Sequence, residues 1–135
     1  MKTRGIHKVV TGTNPNDYTK GFPWHPHRGI ETVTYLISWD IEHIDSLGNK
    51  GSILDGCCQW MTAGGGILHQ EMPKSSNRML GVQLWLNLPQ KNKMISPKYR
   101  DIRADMVPKL DTTLFIYISL VTRYSSGCII IRHIF

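Results

Sequence analysis

The sequence predicts an all-β fold, a sandwich or barrel of short strands. Three observations point there: short β-branched and aromatic runs, glycine-rich turns between them, and no convincing helical segment. The clearest run is Leu80-Gly-Val-Gln-Leu-Trp-Leu-Asn-Leu88. Leu80, Val82, Leu84, Leu86 and Leu88 alternate onto one face, and Gln83, Trp85 and Asn87 onto the other.

The remaining elements follow in chain order. Thr11 to Phe22 is rich in Gly, Asn, Pro and Asp and reads as loop. Glu31-Thr-Val-Thr-Tyr-Leu-Ile37 is β-branched and aromatic and reads as a strand. Ile41 to Ile44 reads as a short second strand, and Ser46 to Gly51 as turn chemistry. Gln59 to Ala63 reads as a strand that runs into the tight Gly64-Gly65-Gly66. Pro89 ends the Leu80–Leu88 strand, and Pro97 to Met106 is expected to hold a short helical turn. The tail from Thr112 carries two apolar segments, Leu114–Val121 and Cys128–Phe135, that read as strands of a hairpin. Both are β-prone windows of low charge that aggregate when unpaired.

At 135 residues, with 41% hydrophobic and 19% charged residues, the chain has the size and composition of one globular domain. The net charge is +6, but the basic residues are scattered. Their densest cluster (Lys91, Lys93, Lys98, Arg100, Arg103) alternates with acids and apolar residues, as on a solvated face and unlike a nucleic-acid footprint. No apolar run approaches the roughly 20 residues of a membrane span, and no apolar stretch follows the basic Met1–Gly5, so neither a membrane segment nor a secretory signal is expected. Three cysteines, Cys57, Cys58 and Cys128, form an odd and poorly spaced set, which fits a reducing cytoplasm.

Two pairs carry the chemistry: His25-Pro-His27 and His69-Gln-Glu71. Spacing of i and i+2 on an extended chain puts both side chains on one face. Two such pairs facing each other would converge four ligands. Three imidazoles and a carboxylate suit Fe, Mn, Ni, Cu or Zn, and do not suit calcium. Glu31 lies four residues beyond His27 with the same strand parity, so spacing alone leaves Glu31 and Glu71 both open as the carboxylate ligand.

Several other residues have blander readings. His43 is expected to be a surface or satisfied histidine, and His7 and His133 have no ligand-like neighbours. Cys57 and Cys58 read as inert thiols before a redox pair. Met61 and Met72 are expected to line the site, Gln59 to point into it, and Trp24 and Trp60 to be core.

These motifs resemble a known family. Phe22-Pro-Trp-His-Pro-His-Arg-Gly-Ile-Glu-Thr-Val-Thr-Tyr-Leu36 and Gln59-Trp-Met-Thr-Ala-Gly-Gly-Gly-Ile-Leu-His-Gln-Glu-Met72 are similar to the two signatures of the pirin family. Leu84–Pro89 and Lys93–Tyr99 continue the likeness in order, from about Gly21 to Asp111. The resemblance implies a cupin-type β-barrel, one partial barrel of a family that usually has two, with residues 1–111 as the N-terminal cupin lacking its opening strands. Residues 112–135 do not match. It implies iron(II) held by His25, His27, His69 and Glu71, with other divalent transition metals as substitutes. Glu71 then doubles as a candidate base, and Glu31 becomes a residue that orients a ligand.

Some family members cleave the flavonol quercetin with dioxygen, and animal members are nuclear co-regulators. The wording here is that of the cytoplasmic, bacterial type. The resemblance therefore implies a quercetin 2,3-dioxygenase-type enzyme with a flavonol and dioxygen as partners. The alternatives are a metal-dependent protein-binding regulator and an inactive fragment, with self-association through exposed strand edges. Two departures stand out: Trp39 replaces a turn glycine, where a positive φ would strain it, and Cys57 replaces an aspartate.

Overall fold

A computed structural model of the chain describes residues 6–12, 14–18, 20–76, 78–106, 109–112, 115–121 and 128–133, with side chains placed for 14, 16, 18, 20–76 and 78–106. The chain divides into two compact units, Met1–Ile102 and Arg103–Phe135.

The first unit is built from strands β1 (Ile6–Gly12), β2 (Phe22–His27), β3 (Ile30–Ser38), β4 (Ile41–Asp45), β5 (Lys50–Ile53), β6 (Cys58–Thr62), β7 (Ile67–Pro73), β8 (Met79–Asn87) and β9 (Lys98–Ile102). One helical turn, α1 (Pro15–Tyr18), and a 3₁₀ turn at Gln90–Asn92 interrupt them. All pairings are antiparallel, in two sheets ordered β1-β8-β3-β6-β9 and β2-β7-β4-β5. Four strands expected from the sequence are present within a residue or two of their expected ends. The differences have local causes. Lys50 already belongs to β5, so the turn after Ser46 is shorter than its composition suggested. Within Pro97–Met106, Lys98–Ile102 is an edge strand paired with β6, while the expected short helical turn is present at Ala104–Met106.

The interior is layered. At one end Tyr18, Leu36, Trp39, Ile41, Ile53 and Met79 form an apolar cluster; at the other, Met61, Ala63 and Ile67 pack with Ile30. Between them the strands carry polar residues: Thr32 and Thr34 on β3, His43 on β4, Gln59 on β6, and His69 and Glu71 on β7, all buried. Burial of so many polar groups in one layer is unusual for a β-sandwich core and marks where chemistry sits.

The strain expected at Trp39 is absent. No non-glycine residue among those described has a positive φ. Trp39 is instead buried, edge-on to Tyr18 at 5.0 Å, and its indole N–H donates to the Lys74 carbonyl at 2.9 Å. Its backbone N–H donates to the Asp55 carboxylate.

The second unit is a three-stranded antiparallel sheet, β10 (Lys109–Thr112), β11 (Phe115–Val121) and β12 (Cys128–His133), with Val121 opposite Cys128. The two apolar tail segments thus pair with each other. The side chains of His7, Cys128 and His133 lie outside the described residues.

Gly21 ties the entry of β2 to β7. It has φ +62°, and a Cβ there would lie 2.7 Å from the Glu71 carbonyl oxygen and 2.8 Å from Pro73 Cδ. Gly21→Ala is expected to lower the unfolding free energy by about 1–3 kcal/mol, the cost of a left-handed non-glycine residue before the clash is counted. Urea titration of the two proteins checks this; equal midpoints would contradict the close approach.

Candidate metal centre

The site grows from strand register. β2 is an edge of its sheet, so Pro23 and Pro26 cost few ladder hydrogen bonds there. Phe22 pairs with Glu71 and His25 with His69, so β2 carries one more residue than β7 across that interval. This bulge sets His25 directly across from His69. β4 flanks β7 on its other side, with Asp45 opposite His69 and His43 opposite Glu71. One cross-strand row therefore reads His25–His69–Asp45, and the next reads Phe22–Glu71–His43.

The imidazoles of His25, His27 and His69 lie 4.3 to 5.0 Å apart, centroid to centroid. Two overlapping groups offer ligand atoms within 4.8 Å of one another: His25, His27 and His69, and His43, His69 and Glu71. His69 belongs to both. It is fully buried, and neither ring nitrogen has a hydrogen-bond partner. Leaving a buried polar group unmatched costs about 1–3 kcal/mol, so these nitrogens are set for a partner outside the protein. His25 donates from Nδ1 to the Pro23 carbonyl at 2.8 Å, which leaves Nε2 as its electron-pair donor. Imidazole nitrogens with one carboxylate nearby fit a divalent transition metal.

Two polar networks surround this cluster. Behind it, His43 is fully buried, with Nε2 3.3 Å from Asp45 Oδ2 and Nδ1 2.6 Å from Gln59 Nε2. Its ring stacks on Tyr99 at 4.5 Å, and Tyr99 donates to Asp101 at 2.5 Å. From the opposite sheet, Trp85 Nε1 donates to Gln83 Oε1 at 2.7 Å. The Gln83 amide in turn donates to Thr34 Oγ1 at 3.0 Å and reaches Glu71 Oε2 at 3.5 Å. The Trp85 ring meets His27 edge-on at 5.1 Å.

Burial controls the titration. His69 is pushed down to about 3 by burial, with His25, His27 and His43 adding to the effect and Asp45 opposing it. His27 is lowered to about 4 by burial and by His25. His43 is also lowered, because burial outweighs Asp45 and Asp101. For Asp45, burial pushes upward, but hydrogen bonds from Asn49, His43 and Leu47 hold it net below the usual carboxylate range. Cys58 is pushed up to about 12 by burial, as an inert thiol should be.

The expected site residues fare differently. His25, His27 and His69 converge, and Glu71 comes within reach of His69 on the side of His43. Glu31 does not join them. Gly29, at φ +69°, turns the chain between β2 and β3, which lie in different sheets, so parity counted from His27 across it loses its meaning. Glu31 lies on the face of β3 opposite Thr32 and Thr34, and its carboxylate accepts from Thr62 Oγ1 at 2.7 Å. Met72 likewise alternates away from His69 and Glu71, and Trp24 is 53% exposed and so not core. Gln59 faces the site as expected, Met61 is fully buried, and Trp60 is core, with Arg100 5.4 Å from its ring centroid.

His43 is a satisfied histidine, one of the two outcomes expected of it, but its pairing with Asp45 was not foreseen. Its signal was the same i, i+2 spacing as the two ligand pairs.

Two antiparallel sheets with histidines from adjacent strands gathered between them define a protein of the cupin class, with a side-chain cluster that could hold a metal ion. The Pirin family model matches residues 3–86, and the chain belongs to that family. It is 48% identical over 116 residues to a Pseudomonas aeruginosa protein whose name provisionally assigns it quercetin 2,3-dioxygenase activity; the match covers 84% of this chain and 41% of that one. A pirin-like protein of Solanum lycopersicum is 50% identical over 91 residues, covering 67% and 31%. A crystal structure of quercetin 2,3-dioxygenase from Acinetobacter baumannii superposes with a TM-score of 0.72 at 35% identity, over 90% of this chain and 45% of that one. A bacterial pirin from Escherichia coli, solved in complex with nickel(II), gives 0.60 at 28% identity, over 88% and 56%. The chain spans less than half the length of these curated relatives. Among the described residues no helix is long and apolar enough to cross a membrane.

The histidine shifts fix a pH dependence. His27 and His69 titrate at about 4 and about 3 when folded, against 6.5 when unfolded. The unfolded chain therefore binds more protons between those values, and stability rises with pH through that window. Metal-free protein is expected to lose stability as pH falls from 6.5 towards 4, with a plateau above. Urea midpoints at pH 7 and pH 5 check this; identical midpoints would show that the imidazoles are not buried.

Proposed function

We propose that the chain is the metal-binding part of a pirin-type oxygenase that holds iron(II) and cleaves a flavonol with dioxygen. The observation that carries this reading is His69, fully buried with both ring nitrogens unmatched, beside His25, His27 and Glu71. The names of the relatives support the substrate class.

Bound iron(II) would supply Lewis acidity for the 3-hydroxyl and 4-keto oxygens of a flavonol and a redox partner for dioxygen. The chain does the rest. His25, His27, His69 and Glu71 would hold the ion, with the Pro23 carbonyl fixing the His25 ring. The Glu71 carboxylate takes the 3-hydroxyl proton, and the Gln83 amide, steadied by Trp85, orients that carboxylate. The cavity beside Glu71, lined by Phe22, Thr34, Leu36, Trp39 and Ile41 among others, measures about 30 Å³. Small-molecule pockets run to roughly 300–1,000 Å³. A flavonol is therefore too large for this cavity as it stands. The free cysteines Cys57 and Cys58 fit a cytoplasmic setting.

A second reading, a metal-dependent protein-binding module, is favoured by Trp24 and Leu68, large apolar side chains about half exposed on the two ligand-bearing strands.

Purified protein is expected to carry near-stoichiometric iron by elemental mass spectrometry, and His69→Ala to lose both the metal and quercetin turnover. Metal-free protein after anaerobic ferrous loading, or full turnover by His69→Ala, would overturn the assignment. Glu71→Gln is expected to lower kcat by about 10²–10⁴, the usual contribution of a general base. Metal-dependent capture of a partner without quercetin turnover would favour the second reading.

A further inference from the structure

The histidine nearest the cluster that the proposed function leaves without a role is His43. It shares a group of ligand atoms with His69 and Glu71, so its geometry admits two roles: ligand or support. Hydrogen bonding separates them. Asp45 accepts from Leu47 N–H at 2.9 Å and from the Asn49 side chain and backbone at 2.9 to 3.1 Å, which marks it as an ionised carboxylate able only to accept. The nitrogen of His43 that faces it, Nε2, must then carry hydrogen. In a neutral ring Nδ1 is the acceptor, and it is filled by the Gln59 amide N–H at 2.6 Å. Tyr99, stacked at 4.5 Å and 15°, clamps the ring plane. His43 thus has no free electron pair, whereas both nitrogens of His69 lack partners.

Its position is that of a back wall. The ring is the cross-strand neighbour of Glu71 and lies 5.4 Å from the His69 ring, and Asp45 is the cross-strand neighbour of His69. Resting on the metal-centre reading above, we propose that His43 is a positioning residue, locked by Asp45, Gln59 and Tyr99, that fixes the orientation of His69 and Glu71 and does not itself bind the ion. The Asp45–Asn49 turn is thereby coupled to the site, since the carboxylate that organises that turn also anchors His43.

The test is cobalt(II) titration of the full chain, read by calorimetry and by the visible absorption of the bound ion. His43→Phe keeps the ring and its stack on Tyr99 but removes both hydrogen bonds. Gln59→Leu removes the donor to Nδ1 together with the Gln59 bond to Tyr99, and touches no ligand, so it reads the lock should His43→Phe not fold. Both variants are expected to bind one cobalt(II), as the unaltered protein does, about 10–100-fold more weakly, the usual effect of removing a partner behind a metal ligand. Their visible bands should change, and His43→Gln, which can donate to Asp45 and accept from Gln59, should recover part of both. His69→Ala serves as the ligand-loss control.

A folded His43→Phe that binds no cobalt(II), like His69→Ala, would make His43 a ligand and overturn the proposal. Unchanged affinity and spectrum in Gln59→Leu would overturn it too, leaving the metal centre intact. Absence of cobalt(II) binding by the unaltered protein would overturn the metal reading and this inference together.

Discussion

The structure depends on one constraint: a layer of polar side chains, most of them ionisable, is buried between two apolar clusters and has to be satisfied there. His69, His43, Gln59, Glu71 and Asp45 are all within 4% of complete burial. Charged forms of such groups are expensive away from water, which is why burial drives the imidazoles well below their ordinary value. Neutral imidazole is also the form that ligates a metal. The same desolvation that weakens the metal-free fold therefore prepares its donors, and folding stability and metal affinity are coupled through one set of side chains.

Strand geometry accounts for how so few residues build this layer. Three pairs with i, i+2 spacing, His25/His27, His69/Glu71 and His43/Asp45, sit on three adjacent strands ordered β2-β7-β4. Alternation turns each pair to the same side, and the antiparallel register brings them into rows. The prolines of β2 are tolerated because that strand is an edge, and the bulge between Phe22 and His25 adjusts the row by one residue. The opposite sheet contributes orientation: Gln83 and Trp85 reach across from β8 to Glu71 and His27. The two groups of donor atoms meet at His69, whose two ring nitrogens are both buried without a hydrogen-bond partner.

What the sequence showed and what it hid divide along the same line. Properties that depend on one strand were legible. The alternation of Leu80–Leu88 placed Gln83 and Trp85 on a common face, and the i, i+2 spacing placed His25 with His27 and His69 with Glu71, while leaving Glu31 open beside Glu71. Properties that depend on how strands meet were not. Glu31 was carried by parity across Gly29, where the chain leaves one sheet for the other. His43 was set aside because nothing in β4 alone says that Asp45, Gln59 and Tyr99 will enclose it. Trp24 read as core because aromatics usually are, and only the edge position of β2 exposes it. The strain expected at Trp39 came from a position-by-position likeness to relatives, and the backbone there adopts no positive φ, so no glycine is needed. The family likeness rested on long motifs in order, and it agrees with the family model over residues 3–86.

The choice of metal follows from the same architecture. Three imidazoles and a carboxylate accept manganese, iron, nickel, copper or zinc, and affinity alone generally rises along that series to copper. A nickel(II) complex of an Escherichia coli pirin is one of the structural neighbours. Any preference among these ions would therefore have to come from geometry: how far Glu71 can swing between the histidine cluster and Gln83, and how firmly His69 is held. Both are set by residues that need not touch the ion. His43 and Asp45 stand behind the pair, and Gln83 and Trp85 stand in front. A softer wall would admit whichever metal binds most strongly, while a rigid one restricts the site to ions that accept its arrangement of donors. The buried hydrogen-bond network around the site, more than the identity of its donors, is where this chain would exercise selectivity.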